Sequence, residues 1–392
     1  MWSPTIRRAA TSVAAGGVAV LSLSGCFVAN NTAETIAFAG SDTTENVIAA
    51  VTAEYNADTT YNPAGDNLVN ILSVQSSPLV VAADSQCVVK TYHTPAGPGE
   101  IASPNGSSNG RNALKASVQA GDGCIDVARS SGPPRAIGSD LATFEYYAFG
   151  MDALGWASAS TKAPANMTLT QLRGVYNCTF TDWSQVGGAA GAIERYMPQS
   201  GSGTYQFFKD DVLGFDPATF SGPSCPAVQF AQENSGELIA TNGDQETALV
   251  GYSAGNWVAQ ARGTAPEQRA GQTMRDLNGQ NLVVNPVPGT SAALNTAGPV
   301  NESNIKLNNP TPAYPGIRYV FNVIDSTHKN YKEVIRYVGF ENKDAADSSI
   351  PMASPLCDGS KEATIASYGF GPLDSTVSSR NLLGSRCRLF TP

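Results

Sequence analysis

Residues 36–55 read IAFAGSDTTENVIAAVTAEY and carry, in order, the signals of a strand, a tight turn and a helix. The apolar run 36–39 predicts a short buried strand. After the turn, apolar side chains recur at helical spacing, at Val47, Ile48, Val51 and Tyr55. Asp42 and Glu45 lie three positions apart at the start of this helix, which predicts a capping box. The stretch is therefore one strand–turn–helix unit.

The same unit recurs along the chain. Further strand-like runs lie at residues 124–128, 192–197, 247–252 and 317–324, and helix-like runs lie at residues 43–55, 111–118, 168–176 and 205–213. Alternation of strands with helices predicts the α/β class. The 392 residues correspond to two or more domains. Residues 271–316 are rich in Asn, Pro and Gly, which predicts long surface loops or irregular β structure.

Composition excludes several classes of protein. Apolar residues make up 42% of the chain, so it is not a disordered polypeptide. A formal net charge of −9 argues against a nucleic-acid partner, which requires a basic face. The chain has two histidines, His93 and His328, so we expect no histidine-based metal centre and no cofactor.

The N-terminus has the pattern of an export signal. Arg7 and Arg8 form a basic region. Residues 9–23 have small or apolar side chains, and this apolar region is short for a membrane span. The pattern ends in Leu-Ser-Gly before Cys26, as in the bacterial lipoprotein box. We expect residues 1–25 to be a signal peptide, Cys26 to carry the lipid, and residues 26–35 to be a tether. The alternative is an ordinary secretory signal followed by a buried or paired cysteine.

Cysteine usage agrees with an exported protein. Seven cysteines are present, and setting aside Cys26 leaves an even number, as expected in an oxidising compartment. The remaining ones are Cys87, Cys124, Cys178, Cys225, Cys357 and Cys387. None forms a CxxC pair, which argues against zinc and thioredoxin-like chemistry. Six cysteines allow about fifteen pairings.

Three small-residue loops share one design, because each follows a strand and precedes a helix. They are residues 40–44 (GSDTT), 106–110 (GSSNG) and 200–204 (SGSGT), and the segment 129–131 (RSS) follows a further strand. The first turn of a helix has unpaired backbone N–H groups and a positive dipole end, so it attracts anions. The alternative for each loop is an ordinary helix cap. None has the GKS or GKT ending of a phosphate loop, which argues against nucleotide hydrolysis.

The ordered set of these segments resembles the phosphate-binding lipoproteins of bacterial ABC transporters. The match rests on residues 200–204 with the aromatics after them, 106–108, 125–133, 169–172, 175–176, Trp183 and 251–255. It spans most of residues 36–392, although 271–316 match poorly. The resemblance implies a solute receptor that captures inorganic phosphate and delivers it to an ABC permease, with no catalysis. It also implies attachment to the outer face of the cell membrane through the lipid.

The resemblance implies a two-lobed type II periplasmic-binding-protein fold with the ligand in the cleft between the lobes. Lobe 1 would combine residues 36–138 with 260–392, and lobe 2 would span 139–259. This architecture favours the sequential disulfides Cys87–Cys124, Cys178–Cys225 and Cys357–Cys387, because each then lies within one lobe. Hinge closure would stay unrestrained.

The same resemblance implies a set of ligand residues: Ser41, Asp42, Thr43, Thr44, Ser107, Ser108, Arg129, Ser130, Ser131, Ser200, Ser202, Gly203 and Thr204. The sequence departs from the family pattern at three of its positions. Pro198 and Ser200 stand where the family has an arginine and an aspartate, and Ser131 stands where it has another aspartate. Arg129 is the expected substitute cation. Asp42 is the expected acceptor for the proton of hydrogen phosphate, or else a helix cap.

Two other functions are open at this point, besides a receptor for another tetrahedral oxyanion. Residues 251–255 read GYSAG and fit the GxSxG pattern of serine hydrolases, with Ser253 as the nucleophile. Such an enzyme would need His328 and an acid such as Asp276. A structural or adhesive surface lipoprotein would account for the anchor but not for the convergent anion loops.

Overall fold

The longest strand, Phe144–Ser158, is buried along its whole length at the centre of a mixed sheet. The computed structural model describes residues 34–81, 87–92, 94, 96–97, 100–136, 138–339, 354–373 and 387–392. The predicted signal peptide, Cys26, most of the tether and His93 lie outside these residues.

The strands of the described residues are β1 (Thr35–Gly40), β2 (Asn67–Asn70), β3 (Leu79–Val80), β4 (Val88–Lys90), β5 (Glu100–Ala102), β6 (Val127–Ser130), β7 (Phe144–Ser158), β8 (Asn166–Met167), β9 (Glu194–Pro198), β10 (Gln229–Ala231), β11 (Ala248–Ser253), β12 (Thr273–Leu277), β13 (Val283–Val284), β14 (Ala293–Leu294), β15 (Ile317–Asp325) and β16 (Leu389–Phe390). The α-helices are α1 (Glu45–Ala57), α2 (Ser107–Ala120), α3 (Leu169–Tyr176), α4 (Gly203–Phe207), α5 (Glu237–Asn242), α6 (Ala254–Arg262), α7 (Tyr331–Val338), α8 (Pro355–Asp358) and α9 (Glu362–Ser367). A π-helical turn, Phe208–Leu213, continues α4. The predicted α/β class is confirmed.

The main sheet has the strand order β10-β9-β11-β7-β15-β6-β1-β2. The central strand β7 pairs with β15 over residues 144–153 and with β11 over residues 154–157. The first part of β7 therefore connects through β15 to β6, β1 and β2, and its last part connects to β11, β9 and β10. One strand thus joins two groups of parallel strands, and loops at the ends of both groups can meet.

Local predictions from the sequence agree with these elements except at one helix start. Residues 271–316 contain β12, the β13–β14 pair and one short 3-10 turn between loops. The capping box at α1 is wrong: the N-cap is Thr44, and the Asp42 carboxylate accepts hydrogen bonds from Gln199 and Gln232 instead. Because distant amides reach this carboxylate, it faces away from its own helix.

Disulfides join Cys87 to Cys124, Cys178 to Cys225, and Cys357 to Cys387. This is the sequential pairing that the resemblance favoured. Five of the six cysteines are buried and Cys178 is half-buried. None of the described helices is long and apolar enough to cross a membrane.

Candidate functional site

Four loops that the sequence analysis singled out meet at one place, which we call the loop junction: residues 40–44, 106–108, 130–132 and 202–204. Backbone hydrogen bonds join Gly106 N to Gly40 O (3.3 Å) and Ser108 N to Gly201 O (3.0 Å). The hydroxyls of Thr43 and Thr204 lie 3.2 Å apart, although 161 residues separate them in the chain. The starts of α1, α2 and α4 are therefore brought together.

Glycine is required at the centre of the loop junction. A Cβ atom on Gly203 would lie 2.3 Å from Ser107 Oγ and 2.6 Å from Ser131 Oγ. These two hydroxyls are themselves 3.3 Å apart, and Ser107 Oγ accepts a hydrogen bond from Ser131 N (3.0 Å). The backbone of residue 203 thus approaches hydroxyl groups of two other loops, as a small-ligand site requires.

An acid from outside the predicted set completes the loop junction. Glu233 follows β10, and its Oε1 accepts hydrogen bonds from the hydroxyls of Thr43 and Thr204. Asn234 donates its amide to Thr43 Oγ1 at 3.4 Å. Asn256, in the first turn of α6, donates to the main-chain oxygen of Thr43 at 2.6 Å. Loops that are far apart in the sequence therefore hold Thr43 in place.

Several buried polar atoms around the loop junction have no hydrogen-bond partner within the described residues. They are Ser41 Oγ, Asp42 Oδ1, Thr44 Oγ1 and Glu233 Oε2. Leaving a buried polar atom unpaired costs about 1–3 kcal/mol. Such atoms are rare in folded proteins and usually mark a water or a ligand. Both hydroxyl donors and carboxyl acceptors are therefore available to a small polar molecule.

The cation at this site is Arg318, which the sequence analysis missed. It lies on β15, is 2% exposed, and donates from Nη2 to Thr204 Oγ1 at 2.8 Å. Its Nε and Nη2 also donate to Asp152 Oδ2, at 3.1 and 2.7 Å. An arginine in the mainly apolar run 317–324 was the available signal, because such a charge is buried only when it is paired.

The contacts of Arg129 are those of a structural residue. It is fully buried, but its guanidinium is directed to the protein itself: it donates to the main-chain oxygens of Phe38, Gly40, Ser41 and Ile71 and to the side chains of Asn70 and Ser73. All of its donor nitrogens are engaged, so none is free for an anion. These contacts do not support a direct ligand role for Arg129, and that role stays a prediction. Arg129 instead holds the loop 40–44 against the ends of β1 and β2.

Other predicted residues divide into two groups. Thr43, Thr204, Ser107, Ser131 and Gly203 meet in the loop junction, with the side chains of Ser41, Asp42 and Thr44 beside them. The side chains of Ser202, Ser108 and Ser130 make local contacts within or near these loops, because Ser202 Oγ accepts from Tyr205 N as a helix cap and Ser108 and Ser130 accept from Arg111. Ser200 is exposed.

The surroundings of Asp42 at the loop junction change its pKa. Burial, followed by the nearby carboxylates of Glu233 and Glu45, raises the pKa of Asp42 well above its usual value. Asp42 therefore tends to keep its proton and to act as a hydrogen-bond donor. The protonated Asp42 can donate to a ligand, and the unpartnered Glu233 Oε2 can accept from the same ligand.

The catalytic triad of a serine hydrolase is not assembled. Ser253 Oγ donates to Asp152 Oδ1 (2.8 Å) and caps α6. His328 lies beside Asp126, with 3.6 Å between Nδ1 and Oδ1. No hydrogen bond joins Ser253, His328 and Asp276 in the described part of the chain. The GxSxG match is therefore a strand end followed by a helix cap. The described residues contain no cluster of three or more candidate metal ligands either.

Comparison with known proteins adds the following similarities. A structure titled as an ABC-type phosphate transport receptor from Vibrio cholerae is 15% identical, with 86% of this chain and 99% of that chain covered and a TM-score of 0.47. A putative phosphate ABC transporter substrate-binding protein from Clostridium perfringens, with bound phosphate, is 15% identical, with 77% and 92% covered and a TM-score of 0.43. A phosphate-binding protein from Stenotrophomonas maltophilia is 12% identical, with 90% and 96% covered and a TM-score of 0.43.

A search of curated proteins finds no match. A family model described as a PBP superfamily domain matches residues 28–346, which is well over half of the chain.

Proposed function

The chain belongs to the PBP superfamily, and on that premise we propose that it captures inorganic phosphate outside the cytoplasmic membrane and delivers it to an ABC permease. It acts as a receptor and not as an enzyme. The observation that carries the proposal is the loop junction, where four loops meet and where the loop 40–44 and Glu233 supply buried, unpartnered hydroxyl and carboxyl oxygens. A small oxyanion accepts several hydrogen bonds at once and so fits this arrangement.

The charge at the loop junction suits a tetrahedral anion that carries a proton. The starts of α1 and α2 supply backbone N–H groups and positive dipole ends. Arg318 adds a full positive charge beside Thr204. Hydrogen phosphate can donate its proton to Glu233 Oε2 while its other oxygens accept from Asp42, Ser41 and Thr44, whose polar atoms have no other partner. Sulfate has no proton to donate at neutral pH, so it would leave Glu233 Oε2 without a hydrogen-bond donor.

We propose the two-lobed arrangement with lobe 1 at residues 36–138 and 260–392 and lobe 2 at residues 139–259. The sheet order supports it, because β6, β1 and β2 lie on one side of β7 and β15, and β11, β9 and β10 lie on the other. Each disulfide joins two cysteines of the same lobe. The loop junction then lies where residues of both lobes meet, as a closing cleft requires.

We propose further that Cys26 carries a lipid after removal of residues 1–25, and that residues 26–35 tether the receptor to the outer face of the membrane. The lipoprotein pattern before Cys26 and the even number of remaining cysteines support this. Mass spectrometry of the protein purified from its native membrane tests it, because a Cys26→Ser variant is expected to lack the lipid mass and to leave the membrane fraction.

The test of phosphate binding is equilibrium dialysis with radiolabelled phosphate, competed with arsenate and sulfate. We expect saturable binding that arsenate displaces and sulfate does not. Thr204→Val removes a hydroxyl at the centre of the loop junction while keeping its shape, and hydrogen bonds to charged groups are worth about 1.5–3 kcal/mol. We therefore expect it to weaken binding at least about tenfold.

Ser200→Ala is the matched control, because Ser200 belongs to the same loop but is exposed. It is expected to leave the affinity unchanged. Absence of phosphate binding, together with saturable sulfate binding, would replace phosphate with another oxyanion as the ligand. Equal affinities for the Thr204→Val and Ser200→Ala variants would remove the loop junction from the binding site.

A further inference from the structure

The carboxyl group of Asp42 makes different contacts at its two oxygens. Oδ2 accepts hydrogen bonds from Gln199 Nε2, at 3.1 Å, and from Gln232 Nε2. Oδ1 is buried and has no hydrogen-bond partner among the described residues. Two glutamine amides from distant parts of the chain therefore converge on one oxygen and leave the other without a partner.

A main-chain N–H group fixes which end of each glutamine amide faces Asp42. Glu233 N donates to Gln199 Oε1 at 2.8 Å, so the Gln199 nitrogen is the end that is turned to Asp42. The second hydrogen of that nitrogen is donated to Asn105 Oδ1 at 2.7 Å. Asn105 Nδ2 in turn donates to Gln232 Oε1 at 3.0 Å, which turns the Gln232 nitrogen to Asp42 as well. Because a main-chain N–H can only donate, both groups that face Asp42 Oδ2 are donors.

These contacts decide where Asp42 can carry a proton. A proton on Oδ2 would point at two N–H donors, and the amide oxygens of Gln199 and Gln232 already accept from other groups. A proton on Oδ1 meets no such donor in the described part of the chain. The neutral carboxyl group is therefore arranged as a carbonyl at Oδ2 and a hydroxyl at Oδ1.

The surroundings of Asp42 favour this neutral form. Burial is the largest cause of its raised pKa, followed by the carboxylates of Glu233, after β10, and of Glu45, on α1. The positive charge of Arg129, on β6, acts in the opposite direction, but Glu45 lies 3.6 Å from the same guanidinium. The neutral carboxyl group thus has both a reason to keep its proton and one oxygen on which to keep it.

We propose that Gln199 and Gln232 are positioning residues, which keep the proton of Asp42 on Oδ1 and so make Asp42 a hydrogen-bond donor to bound phosphate. This inference rests on the phosphate binding proposed above and adds how the site recognises the anion. Asp42 then does not accept the proton of hydrogen phosphate, and Glu233 Oε2 is the oxygen that does so.

The donor role of Asp42 is tested with Asp42→Asn and Asp42→Leu. Asparagine can place its carbonyl at the position of Oδ2 and its NH₂ group at the position of Oδ1, whereas leucine has the same branched shape and neither group. Phosphate affinity is measured by equilibrium dialysis at matched acidic, neutral and alkaline pH. We expect Asp42→Asn to bind at least about tenfold more tightly than Asp42→Leu. We also expect it to overtake the parent as the pH rises, because the parent loses its proton and the amide does not.

The opposite role predicts the opposite order. An ionised Asp42 that accepts the proton of phosphate would make the parent the tightest binder at every pH, and asparagine would then bind no better than leucine. Either result would overturn the proposal. The ionisation of phosphate itself is the same for all three proteins at a given pH, so the comparison between them is unaffected.

The positioning role is tested with Gln232→Glu, made in the parent and in the Asp42→Leu background. The new carboxylate can accept the proton of Asp42 at Oδ2, and Oδ1 then loses its donor. The added negative charge weakens anion binding in both backgrounds, whereas the moved proton matters only where Asp42 is present. We expect the loss of phosphate affinity to be at least about tenfold larger in the parent background. Equal losses would overturn the positioning role.

Infrared spectroscopy tests the position of the proton without phosphate. The difference between the parent and Asp42→Asn at neutral pH is expected to contain the C=O band of a protonated carboxyl group. Gln232→Leu removes one donor from the carbonyl oxygen, so it is expected to move this band to higher frequency. Gln206→Leu is the control, because the Gln206 amide donates to Ser200 O and not to Asp42.

The two measurements separate this proposal from the function on which it rests. Phosphate binding by a parent protein that lacks the infrared band, or a band that Gln232→Leu does not move, would overturn the proposal alone. A band that moves as expected, in a parent that binds no phosphate, would overturn the proposed function and not the position of the proton.

Discussion

Replacing Arg129 with methionine separates a structural role for this side chain from direct binding of the anion. The guanidinium is completely buried and donates to four main-chain oxygens and two side chains. Its closest acid, Glu45, lies 3.6 Å away and is partly exposed. Methionine keeps much of the volume and removes every donor. We therefore expect Arg129→Met to lower the stability of the whole fold.

The size of the stability loss depends on which main-chain oxygens lose their only hydrogen-bond donor in Arg129→Met. Phe38 O also accepts from Ile71 N, and Gly40 O also accepts from Ser73 Oγ and Gly106 N, so both stay paired. Ser41 O and Ile71 O have no other donor in the described part of the chain. At about 1–3 kcal/mol for each unpaired buried group, the expected loss of unfolding free energy is about 4 kcal/mol.

The assay is urea denaturation at neutral pH, followed by tryptophan fluorescence. Arg135→Met is the matched control, because Arg135 is 25% exposed and its partner Asp210 is 44% exposed. Ion pairs near the surface contribute about 0–1 kcal/mol, so the control is expected to change the unfolding free energy by less than about 1 kcal/mol. Phosphate affinity is measured on both variants in the absence of urea.

The reasoning predicts a large effect of Arg129→Met on stability and a smaller, indirect effect on affinity through the loop 40–44. The opposite pattern would refute it. If Arg129→Met unfolds like the control and binds phosphate more than tenfold more weakly than the parent, then Arg129 is a direct ligand in solution.

Three further predictions concern pH, the loop junction and a disulfide. Burial raises the pKa of Asp126 in the folded protein from its usual 3.8 to about 7. Between these two pH values the unfolded chain has lost this proton and the folded protein keeps it. The stability supplied by the protonated form is complete below the unfolded pKa and falls as the pH rises to about 7, by at most about 4 kcal/mol at 1.36 kcal/mol per unit; urea titrations are expected to show a larger fall in the parent than in Asp126→Asn, which keeps only the part that comes from Asp42. Gly203→Ala places a Cβ atom 2.3 Å from Ser107 Oγ and is expected to weaken phosphate binding at least about tenfold in dialysis. Replacing Cys178 and Cys225 with serine removes a disulfide that spans 47 residues and is expected to lower the unfolding free energy by about 4 kcal/mol. Thermal denaturation measures this loss, and we expect the variant to keep phosphate binding.

Each of these predictions has a contrary outcome. Parallel pH profiles for the parent and Asp126→Asn would mean that Asp126 titrates normally. Gly222→Ala is the control for Gly203→Ala, since a Cβ there meets nothing within 4 Å; equal phosphate affinities of the two variants would contradict the crowding argument. Loss of phosphate binding by a folded double serine variant would show that the disulfide supports the binding site.

The elements and the binding loops could be predicted because their signals are local. Strand runs, helical spacing and small residues at turns lie within about ten neighbouring positions, and backbone preferences act over the same distance. The loops 40–44, 106–108 and 202–204 were found in this way, and the structure brings them together. The sequential disulfides followed from the resemblance, which supplied the topology that spacing alone leaves open.

What the tertiary structure decided is which charges reach the loop junction. Thr43 meets Glu233 across 190 positions, and Arg318 meets Thr204 across 114. Arg129 stands in a promising loop, yet the main-chain oxygens at the ends of β1 and β2 take up its donors. Buried charges must find partners wherever the fold places them, and those partners come from distant strands. The amino-acid order therefore determined the loops by itself, whereas the sheet that brings those strands side by side assigned the cation and the acid of the site.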